Sequence, residues 1–228
     1  MFNPVETPPV RPTGETGSAT QQAYAALRRM IVVGELSPGE KLKIDTLRKT
    51  LDTGASPVRE ALSLLVSDQL VERLDQRGFR TASASRGNFE EILMLRCHLE
   101  EMALRRGITY GNQTWEESLV LAHHRMVRQD RDDVEAFEER HKAFHMALLS
   151  ACDSPILLRF CNQLYDLNVR YRYLAGRASG YQKRDVSNEH ADILAATVER
   201  NADLAVERLI SHYRQTGDFL TAQFDTPE

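Results

Sequence analysis

The chain has 228 residues, room for two modest domains, and its 42% hydrophobic and 27% charged residues are ordinary for a globular protein, excluding a disordered or collagen-like chain. No apolar run approaches the roughly 18–20 residues that cross a bilayer, and the N-terminus lacks a basic stretch leading into an apolar one, so no membrane association and a cytoplasmic location are expected. The net charge of −4 is unevenly spread: residues 20–85 carry ten Lys/Arg against eight Asp/Glu, and residues 86–228 carry eighteen against twenty-three. The total therefore does not exclude a nucleic-acid partner for the first segment.

Residues 1–18 hold Pro4, Pro8, Pro9, Pro12, Gly14 and Gly17 with almost no apolar periodicity, and read as a flexible tail. Helical spacing begins at Thr20 with Tyr24, Leu27, Ile31 and Val32, and Gly34 is its stop. The turn Leu36-Ser-Pro-Gly-Glu40 leads to a short helix with Ile44, Leu47 and Leu51, ended by Asp52-Thr-Gly-Ala55. Ser56 is the expected cap of a third helix, with Pro57 in its first turn and Val58, Ala61, Leu62, Leu65 and Val66 on the buried side. Residues 70–74 and 78–82 then read as strands around Asp75-Gln-Arg-Gly78.

Three helices followed by a hairpin make a winged helix-turn-helix, expected over residues 19–84. Ser85-Arg-Gly87 is the expected link. Beyond it the apolar spacing is helical throughout, giving an all-helical domain over 88–224 and a mainly α fold. Helices are expected near 88–107, 114–130, 133–151, 154–175, 187–200 and 202–222, broken at Gly111, Asp153-Ser-Pro155, Gly176 to Gly180 and Asn201. Cys97, Cys152 and Cys161 sit in apolar-periodic segments without CxxC spacing and are expected to be buried thiols.

A helix that reads a major groove presents short polar and basic residues near its N-terminus. The segment Ser56-Pro57-Val-Arg59-Glu-Ala-Leu62 does so, with Ser56 and Arg59 outward; a guanidinium at Arg59 can bridge two acceptors on guanine. The alternative is a local ion pair of Arg59 with Glu60 or Asp52. Together, Gly34-Glu-Leu-Ser-Pro-Gly39, Lys41-Leu42, Pro57-Val-Arg-Glu-Ala-Leu62, Leu70-Val71 and Arg77-Gly-Phe79 resemble the GntR family of bacterial transcription regulators over about sixty-five residues. The resemblance implies operator DNA as partner, base contact through Arg59, and a wing glycine, Gly78, in the minor groove. Arg48, Lys49 and Arg77 are expected phosphate contacts, with solvated surface as the alternative. The family's usual Ser-Arg-Thr before Pro-Val-Arg is Gly54-Ala55-Ser56 here, so a frequent DNA-contacting arginine is missing and the operator sequence does not carry over.

All seven histidines lie beyond residue 90. His141 and His145, at i and i+4, project from one helix face, and His190 and His212 sit among apolar residues of two later helices. Four imidazoles facing one cavity suit a divalent transition metal, Zn²⁺ or Ni²⁺; by spacing alone, core or surface filler is the alternative. His98, His123 and His124 read as solvated, and Trp115 as core. The segments around Phe144-His145, Asp153-Ser-Pro155, Glu189-His190 and Ser211-His212 resemble the FCD effector domain of FadR-type GntR regulators, which implies a six- or seven-helix bundle with a metal held by an Asp and three His. Here the Asp position is His141, which resembles the CsiR-like branch of glutarate-responsive repressors. The Arg96-x-x-x-Glu100 pair matches the same pattern; it implies that Arg96, beside Glu100, reaches into a ligand cavity and holds one end of a small carboxylate effector, a dicarboxylate such as glutarate. Tyr165, Asn168, Arg170, Arg172 and Tyr173 offer further polar groups on one long helix, of which only some can face inward, and Asn168 and Arg172 are the expected effector contacts. A mutual Arg96–Glu100 pair is the alternative.

The leading expectation is a homodimeric, ligand-responsive repressor. A metal-dependent enzyme built on the histidines, and a regulator with a purely structural metal, are the other readings. The enzyme reading lacks an HExxH-spaced base beside the histidine pair and leaves the winged helix without a task.

Overall fold

The computed structural model describes residues 17–75, 77–175 and 186–224. Of the tail expected over 1–18 only Gly17 and Ser18 are included, and the break expected at Gly176 to Gly180 lies outside the described residues.

Ser18 starts α1 (Ala19–Val32) through a capping box: its hydroxyl accepts from the amide of Gln21, whose side chain accepts from the amide of Ser18. Gly34, at φ +84°, turns the chain out of the helix, a conformation costly for a residue with a Cβ. A two-residue strand, β1 (Lys41–Leu42), follows, then α2 (Ile44–Thr50), α3 (Ala55–Ser67), β2 (Val71–Leu74) and β3 (Gly78–Thr81). The sheet order is β1-β3-β2, antiparallel throughout, with Leu42 opposite Phe79 and Arg73 opposite Phe79 on the other side. β1 was not expected, because two residues carry no alternation. Ser56 does not cap α3: Gly54 is the N-cap, in extended conformation and without a side-chain bond, so Ser56 falls inside the first turn.

Of the expected inward residues of α3, Val58, Ala61, Leu62 and Leu65 are fully buried against Leu27 and Ile31 of α1, while Val66 is only partly buried at the edge of this core. Deleting any of these leucines would cost about 2–5 kcal/mol.

Ser85 caps α4 (Arg86–Tyr110), its hydroxyl accepting from the amide of Asn88, so the link is residues 82–85 rather than 85–87. The helices α5 (Gln113–Val127), α6 (Val134–Leu149), α7 (Pro155–Leu174), α8 (Val186–Val198) and α9 (Ala202–Phe224) follow. Asn112, Asp133 and Ser154 cap α5, α6 and α7, and Pro155 opens α7, where its missing N–H costs no helix bond. α4 packs on α7 and α9, α5 on α6, and α8 on α9. Phe144, Leu148, Leu104, Leu119, Ile193 and Leu209 form the core of this bundle, with Trp115 and the free thiols Cys97, Cys152 and Cys161 also buried.

A second apolar cluster runs without a break from α1 and α3 into Phe89 of α4, Leu164, Leu167 and Tyr171 of α7, and Leu220 of α9. The winged head is therefore packed onto the helical bundle, and α4 and α7 belong to both cores.

Candidate metal and effector site

On the head, Ser56 and Arg59 are exposed, and the Arg59 guanidinium makes no ion pair or hydrogen bond among the described residues, so neither Glu60 nor Asp52 holds it. Glu60 instead accepts from the hydroxyl of Thr20. Pro57 is half-buried in the first turn of α3; Lys49 and Arg77 are exposed, and Arg48 is exposed with an ion pair to Asp45 at 3.1 Å. Gly78 opens β3 at φ +94° with open space around it, as a wing tip must have to approach another backbone.

In the bundle, α6 presents His141 and His145 one turn apart, α8 presents His190 and α9 presents His212. All four are buried, and each offers a nitrogen within 4.8 Å of the others. Nε2 of His141 stands 3.1 Å from Nε2 of His190 and 3.2 Å from Nε2 of His145. Imidazoles bonded to one shared ion at about 2.0–2.1 Å have nitrogens at such separations. Burial pushes His141 and His145 well below the usual imidazole range, with neighbouring histidines adding to the effect, and takes His190 down to about 2. These three rings are thus neutral at physiological pH, the state a ligand needs.

Behind the rings lies a layer of partners. His212 Nδ1 donates to Glu189 at 2.8 Å; His145 Nδ1 meets the Tyr213 hydroxyl at 2.8 Å, which in turn donates to Glu100. His141 Nδ1 lies 2.5 Å from the Tyr165 hydroxyl, 3.2 Å from Arg172 and 3.7 Å from Glu138. Ligation through Nε2 leaves Nδ1 protonated, which suits Tyr165 and Glu138 and requires the Arg172 contact to open. Outer partners of this kind fix ring orientation and raise ligand basicity, so the donor set fits a divalent transition metal. Glu189, Glu138 and Glu100 stand behind the four histidines without joining the donor set. That Tyr165 and Tyr213 partner particular rings is a matter of tertiary packing, with no local spacing to announce it.

Beside the cluster a narrow cavity is lined by Leu93, Arg96, Asn168, Arg172, Thr216 and Gly217, with His141 and His212 at its inner wall. Arg96 is buried; its Nε donates to Glu100 at 2.6 Å, its Nη1 to Asn168 at 2.9 Å, and its plane lies over the rings of Tyr213 and Tyr165. Burial disfavours its charge, and Glu100 beside it more than restores it. Among the described residues Nη2 has no partner, a cost of about 1–3 kcal/mol for a buried donor. The mutual Arg96–Glu100 pair thus exists, and it leaves one edge of the guanidinium to spare. Arg172 is held by Glu138 through both nitrogens, at 2.7 and 3.0 Å, and burial raises the Glu138 carboxyl despite that pairing.

Of the other histidines, His98 and His124 are exposed, but His123 is not solvated: it is half-buried edge-on to Phe144 at 5.3 Å, its Nε2 lacks a partner, and burial lowers its pKa. Arg170 points away from the site and donates to the carbonyl of Ala82.

A winged helix-turn-helix fused to a helical bundle with a buried polar site defines a transcription regulator. The chain belongs to the GntR family of bacterial regulatory proteins: the family's DNA-binding region matches residues 19–80, and an FCD domain matches residues 91–215. It is 34% identical to the HTH-type transcriptional regulator BphR of Paraburkholderia xenovorans, over 88% of this chain and 84% of that one. It is 32% identical to the HTH-type transcriptional repressor GlaR of Escherichia coli, over 83% and 90%. The fold is that of E. coli McbR/YncC, with a TM-score of 0.79 at 23% identity over 92% of this chain and 100% of that one. It is thus a DNA-binding regulator and not an enzyme, and among the described residues no helix is long and apolar enough to cross a membrane.

Proposed function

We infer that the chain is a homodimeric repressor whose operator affinity is set by a small carboxylate bound beside a metal held by His141, His145, His190 and His212. The observation that carries this reading is that Arg96, whose buried Nη2 has no hydrogen-bond partner among the described residues, lines the same cavity as His141 and His212. A carboxylate is the group that a guanidinium edge accepts in two-point fashion. A divalent Zn²⁺ or Ni²⁺ at the histidines would supply a second anchor for an anion. A dicarboxylate such as glutarate would use both anchors, with Arg96, Asn168 and Arg172 at one end and the metal at the other. Glu100 keeps Arg96 oriented and leaves its free edge to the ligand. The repressor sign is supported by a relative, GlaR, that is itself described as a repressor. Residues 19–84 serve as the DNA-binding part, with Arg59 and Ser56 facing bases, Pro57 setting the first turn, Arg48, Lys49 and Arg77 on phosphates, and Gly78 in the minor groove. Two heads are required because one winged helix is too small to select a site alone. Residues 88–224 sense the ligand and pair the protomers.

The test is a thermal-shift screen of mono- and dicarboxylates with and without chelator. A carboxylate that stabilises the zinc-loaded protein and not the chelated protein is expected, since a ligand bound to the native state raises stability with its concentration. Stabilisation that is indifferent to chelator would leave the metal a structural role, and no stabilisation by any carboxylate would remove this effector class.

A further inference from the structure

On α6 and α7, side chains that bond the histidine site stand beside side chains that bond the head. On α7, Tyr165 bonds His141, while Asp166 receives Lys142 of α6 at 2.6 Å and also the guanidinium of Arg28 on α1. On α6, Glu138 holds Arg172 beside His141, while Glu135, one turn earlier, is gripped in two-point fashion by Arg29 of α1 at 2.5 and 2.6 Å. Two consecutive arginines of the first head helix thus hold α6, which carries His141 and His145, and α7, which carries their partner Tyr165. Asp166 is almost fully buried, whereas the Arg29 pair is half-exposed, so the first contact is the stronger lever.

We propose that Arg28 and Arg29 are the positioning residues through which occupancy of the histidine site sets the placement of the DNA-reading head. The inference rests on the reading of that site as a metal centre. The ion would be held by His141 and His145 of α6, His190 of α8 and His212 of α9, and α7 meets this set through the bond of Tyr165 to His141; Glu135 rides on α6 and Asp166 sits beside Tyr165 on α7, so a shift of either helix on occupancy would pass through the two guanidinium contacts to α1. Since α3, the recognition helix, packs on α1 through Leu27, Val58 and Leu62, the displacement reaches the DNA-facing residues. The apolar joint of Phe89, Leu164 and Tyr171 keeps the head attached when the ion pairs are removed, so their loss changes steering and not assembly.

Hydrogen exchange of the full-length protein, chelated and then saturated with Zn²⁺, tests this. In the wild type, zinc should slow amide exchange around the four histidines and also alter exchange in residues 19–67 by about fivefold or more, the lower end of ordinary site-to-site coupling. In Arg28→Gln/Arg29→Gln the response around the histidines should persist and that of residues 19–67 should vanish, while Arg28→Lys, which keeps a cation for Asp166, should retain part of it. An unchanged response of residues 19–67 in the double variant overturns the proposal, as does a wild type whose zinc response stops at the bundle. Absence of any zinc response around the histidines overturns the metal reading itself, and with it this inference.

Discussion

Glu189 of α8 accepts a hydrogen bond from Nδ1 of His212 on α9 at 2.8 Å, which turns the opposite nitrogen of that ring toward the other three histidines. A carboxylate behind a ligating imidazole fixes its tautomer and strengthens it as a donor. Glu189→Gln should keep the fold and weaken zinc binding by roughly 10–100-fold. Competition with a chromophoric chelator measures this; wild-type affinity would mean that His212 is not held as a ligand.

Arg59 is exposed and unpaired on the recognition helix, so its removal costs the folded protein little. Arg59→Ala should lose about 1–3 kcal/mol of operator binding per half-site while melting at the wild-type temperature. A gel-shift titration on an operator selected from random duplexes reads the loss, and equal affinity for selected and scrambled duplexes is the expected endpoint.

The metal-free protein should be acid-sensitive in a defined window. His141, His145 and His190 have folded pKa values below the unfolded value of 6.5, so the unfolded chain binds protons first as pH falls. Their contribution is fully present above about pH 6.5 and is lost on acidification toward the folded values, by up to about 1.4 kcal/mol per pH unit for each ring. Urea midpoints of chelated protein between pH 7 and 5 should fall steeply, and those of His190→Ala less so. A flat profile would contradict burial of neutral imidazoles.

Gly111 ends α4 with no room for a side chain: a Cβ there would stand 2.1 Å from the Trp115 ring and 2.6 Å from the carbonyl oxygen of Gly107. Trp115 cannot retreat, because its Nε1 donates to the Ala147 carbonyl and Arg200 lies over its ring. Gly111→Ala should therefore destabilise by about 1–3 kcal/mol, measured by chemical denaturation, without changing the zinc stoichiometry.

Much of this architecture is legible in the sequence because it rests on local rules. The periodicity of α1, the turn at Gly34, the inward set of α3 and the His141–His145 pair all follow from helical spacing, and the structure brings His190 and His212, also singled out in the sequence, beside that pair. What was not legible is tertiary. Nothing in the chain links Arg28 to Asp166, or Tyr213 to both His145 and Glu100, since those partners are brought together only by packing. Ser56 was misplaced because a glycine in extended conformation can begin a helix without a side-chain cap, so the serine two residues later loses that role. His123 was misread because its burial depends on Phe144, a residue on another helix.

The account stands most directly on calorimetric titration of the metal-free protein with Zn²⁺, wild type beside His141→Ala. Nε2 of His141 lies within 3.2 Å of Nε2 of both His145 and His190, so its loss removes a nitrogen from the closest-set part of the cluster. The account predicts one tightly bound ion per wild-type chain, and loss of that binding in a folded His141→Ala protein. Equal stoichiometry and affinity in the two proteins, or no zinc taken up by the wild type, would contradict it.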